Sequence, residues 1–212
     1  DRNKMEMLLK SLARNESTIV SNQTLLNDIE DFGSDILIES RITLDDYLDI
    51  LNRLHIIENQ AAYSGNYRSP KRVGKSSKRH FIDPSLACAC LDLNNEKLVN
   101  DLKTFGFMFE SLVERDLRIY MEYLNGNLYH FRDNVTGLEV DSILEFSLGD
   151  YAAVEIKLGF NGVEDAKNNL LSLYDNMEKK PKFMCIIVGF LDFIVKDPET
   201  GIYIVPITAL KP

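Results

Sequence analysis

Three consecutive segments decide how this chain is read: Leu138-Glu139-Val140-Asp141-Ser142-Ile143-Leu144-Glu145-Phe146, then Ser147-Leu148-Gly149-Asp150, then Tyr151-Ala152-Ala153-Val154-Glu155-Ile156-Lys157-Leu158. The two outer segments alternate apolar with polar residues, the mark of strands with unlike faces, and the middle four are turn material. With the turn centred on Leu148, Asp141 faces Glu155 and Glu139 faces Lys157. Period-two alternation sends these four side chains to one side of the sheet. The other side collects Val140, Leu144 and Phe146 against Ala152, Val154, Ile156 and Leu158, and is expected to be core. A bulge beside Asp141 would shift the register by one residue.

Opposed residues on neighbouring strands lie about 5 Å apart at Cβ, where two like charges destabilise the pair. Two carboxylates tolerate that separation when a cation sits between them. Lys157 can serve, and a divalent ion can do more; hard oxygen ligands suit Mg²⁺ or Mn²⁺. An amphipathic hairpin with a solvated polar face would show the same alternation.

Outward from the hairpin, the pattern predicts strands at 128–132, 183–190 and 202–206, with a helix over 162–177. Upstream, a long helix is expected from about Glu96 to Leu124, with Phe105, Phe109, Leu112, Val113 and Leu117 inward and Asn125-Gly126-Asn127 ending it. Nearer the N-terminus, Met5, Leu8, Leu9 and Leu12 recur at helical spacing. Ser21 is expected to cap a second helix and Thr43 a third, with Asp45 and Asp46 in its first turn. Two extended segments, 55–59 and 79–82, flank a Gly/Ser/Lys/Arg-rich stretch. Three helices followed by a hairpin with a basic tip is the outline of a winged helix. Asp83-Pro84-Ser85 stops the second strand and starts a short helix. The domain boundary is placed near Asn94-Asn95-Glu96, giving domains 1–95 and 96–212.

The basic tract Arg68, Lys71, Arg72, Lys75, Lys78 and Arg79 could contact phosphates from the hairpin tip, or could be a solvated loop. Asp45, Asp46 and Asp49 on the third helix would face phosphates if that helix entered a groove, which argues against sequence-specific reading. Gly74-Lys75-Ser76 looks like the end of a phosphate-binding loop, but Ser69 stands where the required Gly belongs, so no ATP site is assigned. Cys88-x-Cys90 is too tightly spaced for common zinc sites and lies among apolar residues.

The 212 residues carry 45% hydrophobic residues, enough for a packed core, and the net charge is −9. Residues 1–95 hold 12 basic against 14 acidic side chains, residues 96–212 hold 12 against 19. An acidic protein is not an obvious nucleic-acid binder, though carboxylates around a metal would account for part of the excess. The longest apolar run is interrupted by Asp192 and too short to span a bilayer, and the three cysteines suggest a reducing compartment; a cytoplasmic, non-membrane protein is expected.

Asp141 on one strand and Glu155-x-Lys157 on the next resemble the PD-(D/E)XK pattern of restriction-endonuclease-like nucleases. Val140 stands where that pattern has proline. The resemblance implies a mixed central sheet. It also implies metal ligation by Asp141, Glu155 and the Ile156 carbonyl, and a Lys157 that orients or activates water. Glu110, in Phe107-Met108-Phe109-Glu110-Ser111, fits the glutamate those enzymes carry on the preceding helix. The whole chain is similar to the C-terminal region of bacterial and archaeal AAA-plus ATPases carrying the domain of unknown function 4143. The similarity runs through Thr43…Tyr47-Leu48…Leu51…Leu54, Lys78-Arg79-His80-Phe81-Ile82-Asp83-Pro84-Ser85-Leu86, Gly106-Phe107-Met108-Phe109-Glu110 and Glu155-Ile156-Lys157. It implies a nucleotide-binding domain preceding this stretch, ATP bound only there, and oligomers formed through that ATPase. The expected fold class is α+β, a winged-helix domain followed by a restriction-endonuclease-like α/β domain. Two functions stay open: a metal-dependent nuclease acting on DNA, and a nuclease-like fold that no longer cuts and serves as a protein- or DNA-binding regulatory module.

Overall fold

The computed structural model describes residues 1–32, 41–64 and 77–211. They fall into two compact units, one drawn from Asp1–Gln60 and Ser76–Ser111, the other from Ala61–Lys75 and Leu112–Pro212.

The first unit opens with helices α1 (Arg2–Arg14), α2 (Asn22–Asp31) and α3 (Arg41–Arg53). Ser21 caps α2 as expected, its Oγ accepting from the Thr24 N–H at 3.0 Å. Helix α3 starts before Thr43, so Thr43 lies inside the helix, and Asp45 and Asp46 fall outside the first turn. Strands β1 (Ile57–Gln60) and β2 (Lys78–Phe81) pair antiparallel, and α4 (Pro84–Cys90) follows with Asp83 as cap and Pro84 at its start. Leu8, Leu12, Leu25, Ile29, Leu44, Leu48 and Phe81 form the core. Residues 65–76 of the connection between β1 and β2, with Arg68, Lys71, Arg72, Lys75 and the Gly74-Lys75-Ser76 motif, lie outside the described residues.

One long helix was expected from Glu96 to Leu124; there are two, α5 (Asn95–Asn100) and α6 (Leu102–Tyr123). Asp101 separates them with an extended backbone. Its carboxylate accepts from the Thr104 N–H at 3.1 Å and from Thr104 Oγ1 at 2.7 Å, which caps the second helix and outweighs continuation of the first.

The second unit is a six-stranded mixed sheet: β3 (Asn127–Arg132), β4 (Glu139–Glu145), β5 (Tyr151–Lys157), β6 (Met184–Val188), β7 (Val195–Lys196) and β8 (Tyr203–Pro206). Their order is β3-β4-β5-β6-β8-β7. The first three run antiparallel, β5, β6 and β8 run parallel, and β7 closes the edge antiparallel. Helix α7 (Val163–Asn176) makes the crossover from β5 to β6 and buries Val163, Ala166, Leu170 and Leu173. With Ala153, Ile186 and Val188 these residues form the core of this unit. Residues 151–156 are all buried, so both faces of β5 are covered and the polar side expected of the hairpin is a site set into a packed sheet. Gly126 turns the chain from α6 into β3, where an added Cβ would lie 2.7 Å from the Glu145 carbonyl oxygen.

Candidate functional site

Strands β4 and β5 pair in the expected register, Ser142 opposite Val154 and Leu144 opposite Ala152. The ladder stops at Ser142, one residue short of Asp141 opposite Glu155. On the other edge of β4, Tyr129 pairs with Ile143 and Phe131 with Val140, so two steps of β3 meet three of β4. The extra residue is a bulge that takes in Asp141 and Ser142. Beyond it the alternation inverts, and Val140 joins Ile143 in one core cluster instead of lying opposite the polar side chains as expected. Glu139 likewise lies off the β5 ladder; it pairs with Arg132 on β3 at 3.8 Å, not with Lys157.

The bulge frees Asp141 to act in the ladder's place. Its Oδ2 accepts the Ile156 N–H at 2.7 Å and the Lys157 ammonium at 3.1 Å. Lys157 Nζ also donates to Glu155 Oε2 at 2.5 Å, so the two carboxylates converge on one ammonium. A strand residue turns its N–H and C=O to the same neighbour, so the Ile156 carbonyl points to the edge where Asp141 lies. Asp141, Glu155, Ile156 and Lys157 are therefore brought together.

Two residues that sequence reasoning missed complete the surroundings. Asn169, on α7, donates from Nδ2 to Glu155 Oε1 at 3.2 Å. Its signal was a polar residue at helical spacing from Ala166 and Leu173 on an otherwise apolar stripe. Gly162 lies against the Lys157 stem, where an added Cβ would meet Cδ at 3.0 Å.

Glu155 is 1% exposed. Burial, and then the neighbouring Asp141 charge, push its carboxyl up to about 8, against the opposing pull of Lys157 and Asn169. Burial lowers the pKa of the Lys157 ammonium, but Asp141 and Glu155 together outweigh it and hold that pKa above the usual lysine value. Two carboxylates and a backbone carbonyl form a hard-oxygen set that suits a small divalent cation whose remaining positions are water. Among the described residues no group of three His, Cys, Asp or Glu side chains stands in metal-holding range.

Of the other expected site residues, Lys78, Arg79 and Glu110 belong to the first unit. Glu110 forms an ion pair with Lys78, whose side chain is 2% exposed. The Arg79 guanidinium donates to the Val20 carbonyl at 3.1 Å and to Asn22 Oδ1 at 2.7 Å. Beside them Glu16, also buried, accepts from Ser111 Oγ at 2.7 Å and from the Phe81 N–H at 3.1 Å, and contacts His80 Nδ1 at 3.2 Å. This buried polar network, unseen in sequence, ties the turn after α1 to β2 and α6.

No helix among the described residues is long and apolar enough to cross a membrane. No curated protein matches the chain. Among solved structures, a chain of the half-complex from a tetradecameric assembly of Thermococcus gammatolerans McrB AAA+ hexamers with bound McrC aligns over 95% of this chain and 70% of its own. The identity is 13% and the TM-score 0.30, too loose to bear on the fold. Residues 1–97 match the family model of a domain of unknown function, DUF8612. Residues 105–210, from within α6 through the whole mixed sheet and its bulged hairpin, match the model of another domain of unknown function, DUF4143, and it is to this family that the chain belongs.

Proposed function

We propose that the second unit is a metal-dependent phosphodiesterase module acting on DNA. The observation that carries this reading is the convergence of Asp141 and Glu155 on Lys157 at a strand bulge, with the Ile156 backbone turned to the same edge. Asp141, Glu155 and the Ile156 carbonyl would hold Mg²⁺ or Mn²⁺. When bound, such an ion neutralises charge developing on a phosphoryl group and lowers the pKa of water. Asn169 fixes the Glu155 carboxylate, and the Asp141–Ile156 hydrogen bond fixes Asp141. Lys157, held protonated by both carboxylates, donates hydrogen bonds; in that state it orients water or offsets phosphate charge rather than accepting a proton. Glu110 is assigned to the Lys78 pair of the first unit and given no part in this chemistry.

The same geometry supports a second reading. Lys157 already supplies the carboxylates with a cation, as a nuclease-like fold kept for binding would need. Calorimetric titration of Mn²⁺ and Mg²⁺ into the wild type and Asp141→Asn separates the two. Binding that disappears in the variant, with DNA cleavage lost in Lys157→Ala, is the expected result. No binding by the wild type, even with DNA present, would overturn the nuclease reading and favour the binding module.

The sequence resemblance further supports a place for this chain as the C-terminal region of an AAA-plus ATPase, with ATP confined to the ATPase domain. In the first unit, three helices and a two-stranded sheet support a winged-helix reading, and internal use of Lys78 and Arg79 favours docking to protein over gripping phosphates.

A further inference from the structure

Lys157 and Val188, the last residues of β5 and β6, are partners in a parallel ladder, so both strands leave the sheet at the end that carries the site. The Gly189 N–H donates to the Leu158 carbonyl at 3.3 Å and keeps the two outgoing segments together for a further residue. Three phenylalanines follow at once: Phe160 is 51% exposed, Phe190 66% and Phe193 66%. Single exposed rings are ordinary, but three within a few residues of one charged site are not.

Phe190 and Phe193 line an open cleft of about 580 Å³ with Gly189, Leu191, Asp192 and Thr208. That volume is in the range of small-ligand sites. Its lining residues include two phenylalanines, whose rings can stack on flat heterocycles, and Asp192 and Thr208, whose carboxylate and hydroxyl can bond amino and carbonyl groups on a base edge. Asp192 disfavours a phosphate in the same place. In an intact duplex the base faces are stacked on one another, whereas an unpaired base offers both.

We propose that this cleft takes an unpaired nucleobase, which makes single-stranded nucleic acid the substrate class. The inference rests on the phosphodiesterase reading of Asp141, Glu155 and Lys157 for its catalytic meaning. Fluorescence anisotropy with a labelled oligothymidylate and a blunt duplex of equal length, in Ca²⁺, tests it on the wild type and on the Phe190→Ala/Phe193→Ala pair. Circular dichroism checks that the variant is folded. The single strand should bind at least tenfold more tightly than the duplex, and the Phe190→Ala/Phe193→Ala pair should weaken it by about tenfold. Equal or tighter duplex binding, no binding of either, or a folded variant that binds the strand like wild type would overturn the proposal. So would loss of self-association in the Phe190→Ala/Phe193→Ala variant without strand binding, which would assign the rings to a protein surface. The Mn²⁺ titration is read independently. Metal binding without strand preference overturns this inference alone, and strand preference without metal binding supports the cleft while overturning the phosphodiesterase reading.

Discussion

Glu155 has a raised pKa in the folded protein, about 8 against an ordinary 4.5. The folded state therefore holds its proton to higher pH than the unfolded chain. Its contribution to stability is full below about pH 4.5 and is lost as pH rises through about 8. Metal-free wild type should lose stability relative to Glu155→Gln across that window, on the order of 1–3 kcal/mol after allowing for the Lys157 pairing, as read by urea unfolding at several pH values. Gly162→Ala would place a methyl 3.0 Å from Lys157 Cδ and displace the ammonium. Cleavage should fall about tenfold or more with little change in melting temperature, since small misplacements of a reacting group are costly. At this scale the sequence exposed Asp141, Glu155 and Lys157 because charges alternating within apolar strands are conspicuous. It concealed Asn169 and Gly162, whose roles come from a crossover helix returning to the strand.

The elements were readable where turn chemistry and periodicity agreed, as in the hairpin register and the α7 crossover. They were not where a local cap opposed a continuing pattern. The apolar period runs on through residues 96–124, and only the Asp101–Thr104 bonds divide α5 from α6. Strand β7, two residues long, is too short to show a period at all. Backbone crowding at Gly126 makes the α6–β3 turn intolerant: Gly126→Ala should cost about 2 kcal/mol or more in denaturant unfolding, because the Glu145 carbonyl it meets is main chain and cannot swing aside. Lys78→Ala should destabilise by about 3 kcal/mol by removing one side of the Lys78–Glu110 ion pair, and Lys78→Met by clearly less because it keeps the stem's packing.

Over the whole molecule, a net charge of −9 opposes any polyanion. Lys78 and Arg79 are bonded inside the first unit, so at most the other four cations of the basic tract can add to phosphate binding. The logarithmic salt dependence of duplex binding should therefore have a slope no steeper than about −3.6, measured by anisotropy across a salt series. A slope near −5.4 or steeper would mean that all six cations, or others, engage the backbone. Composition pointed to a packed core, but charge totals could not show which cations are spent internally.

The bulge at Asp141 and Ser142 has a consequence for how such a module changes over generations. Because the inserted residue breaks the alternation of β4, Asp141 stands outside the frame of the hydrophobic pairs that follow it, while Glu155 and Lys157 keep the regular frame of β5. Substitutions at Asp141 can then accumulate without forcing compensation at Ile143 or Ala153. Losing the chemistry and keeping the scaffold would take a single codon, and cutting and non-cutting descendants should share the same hairpin.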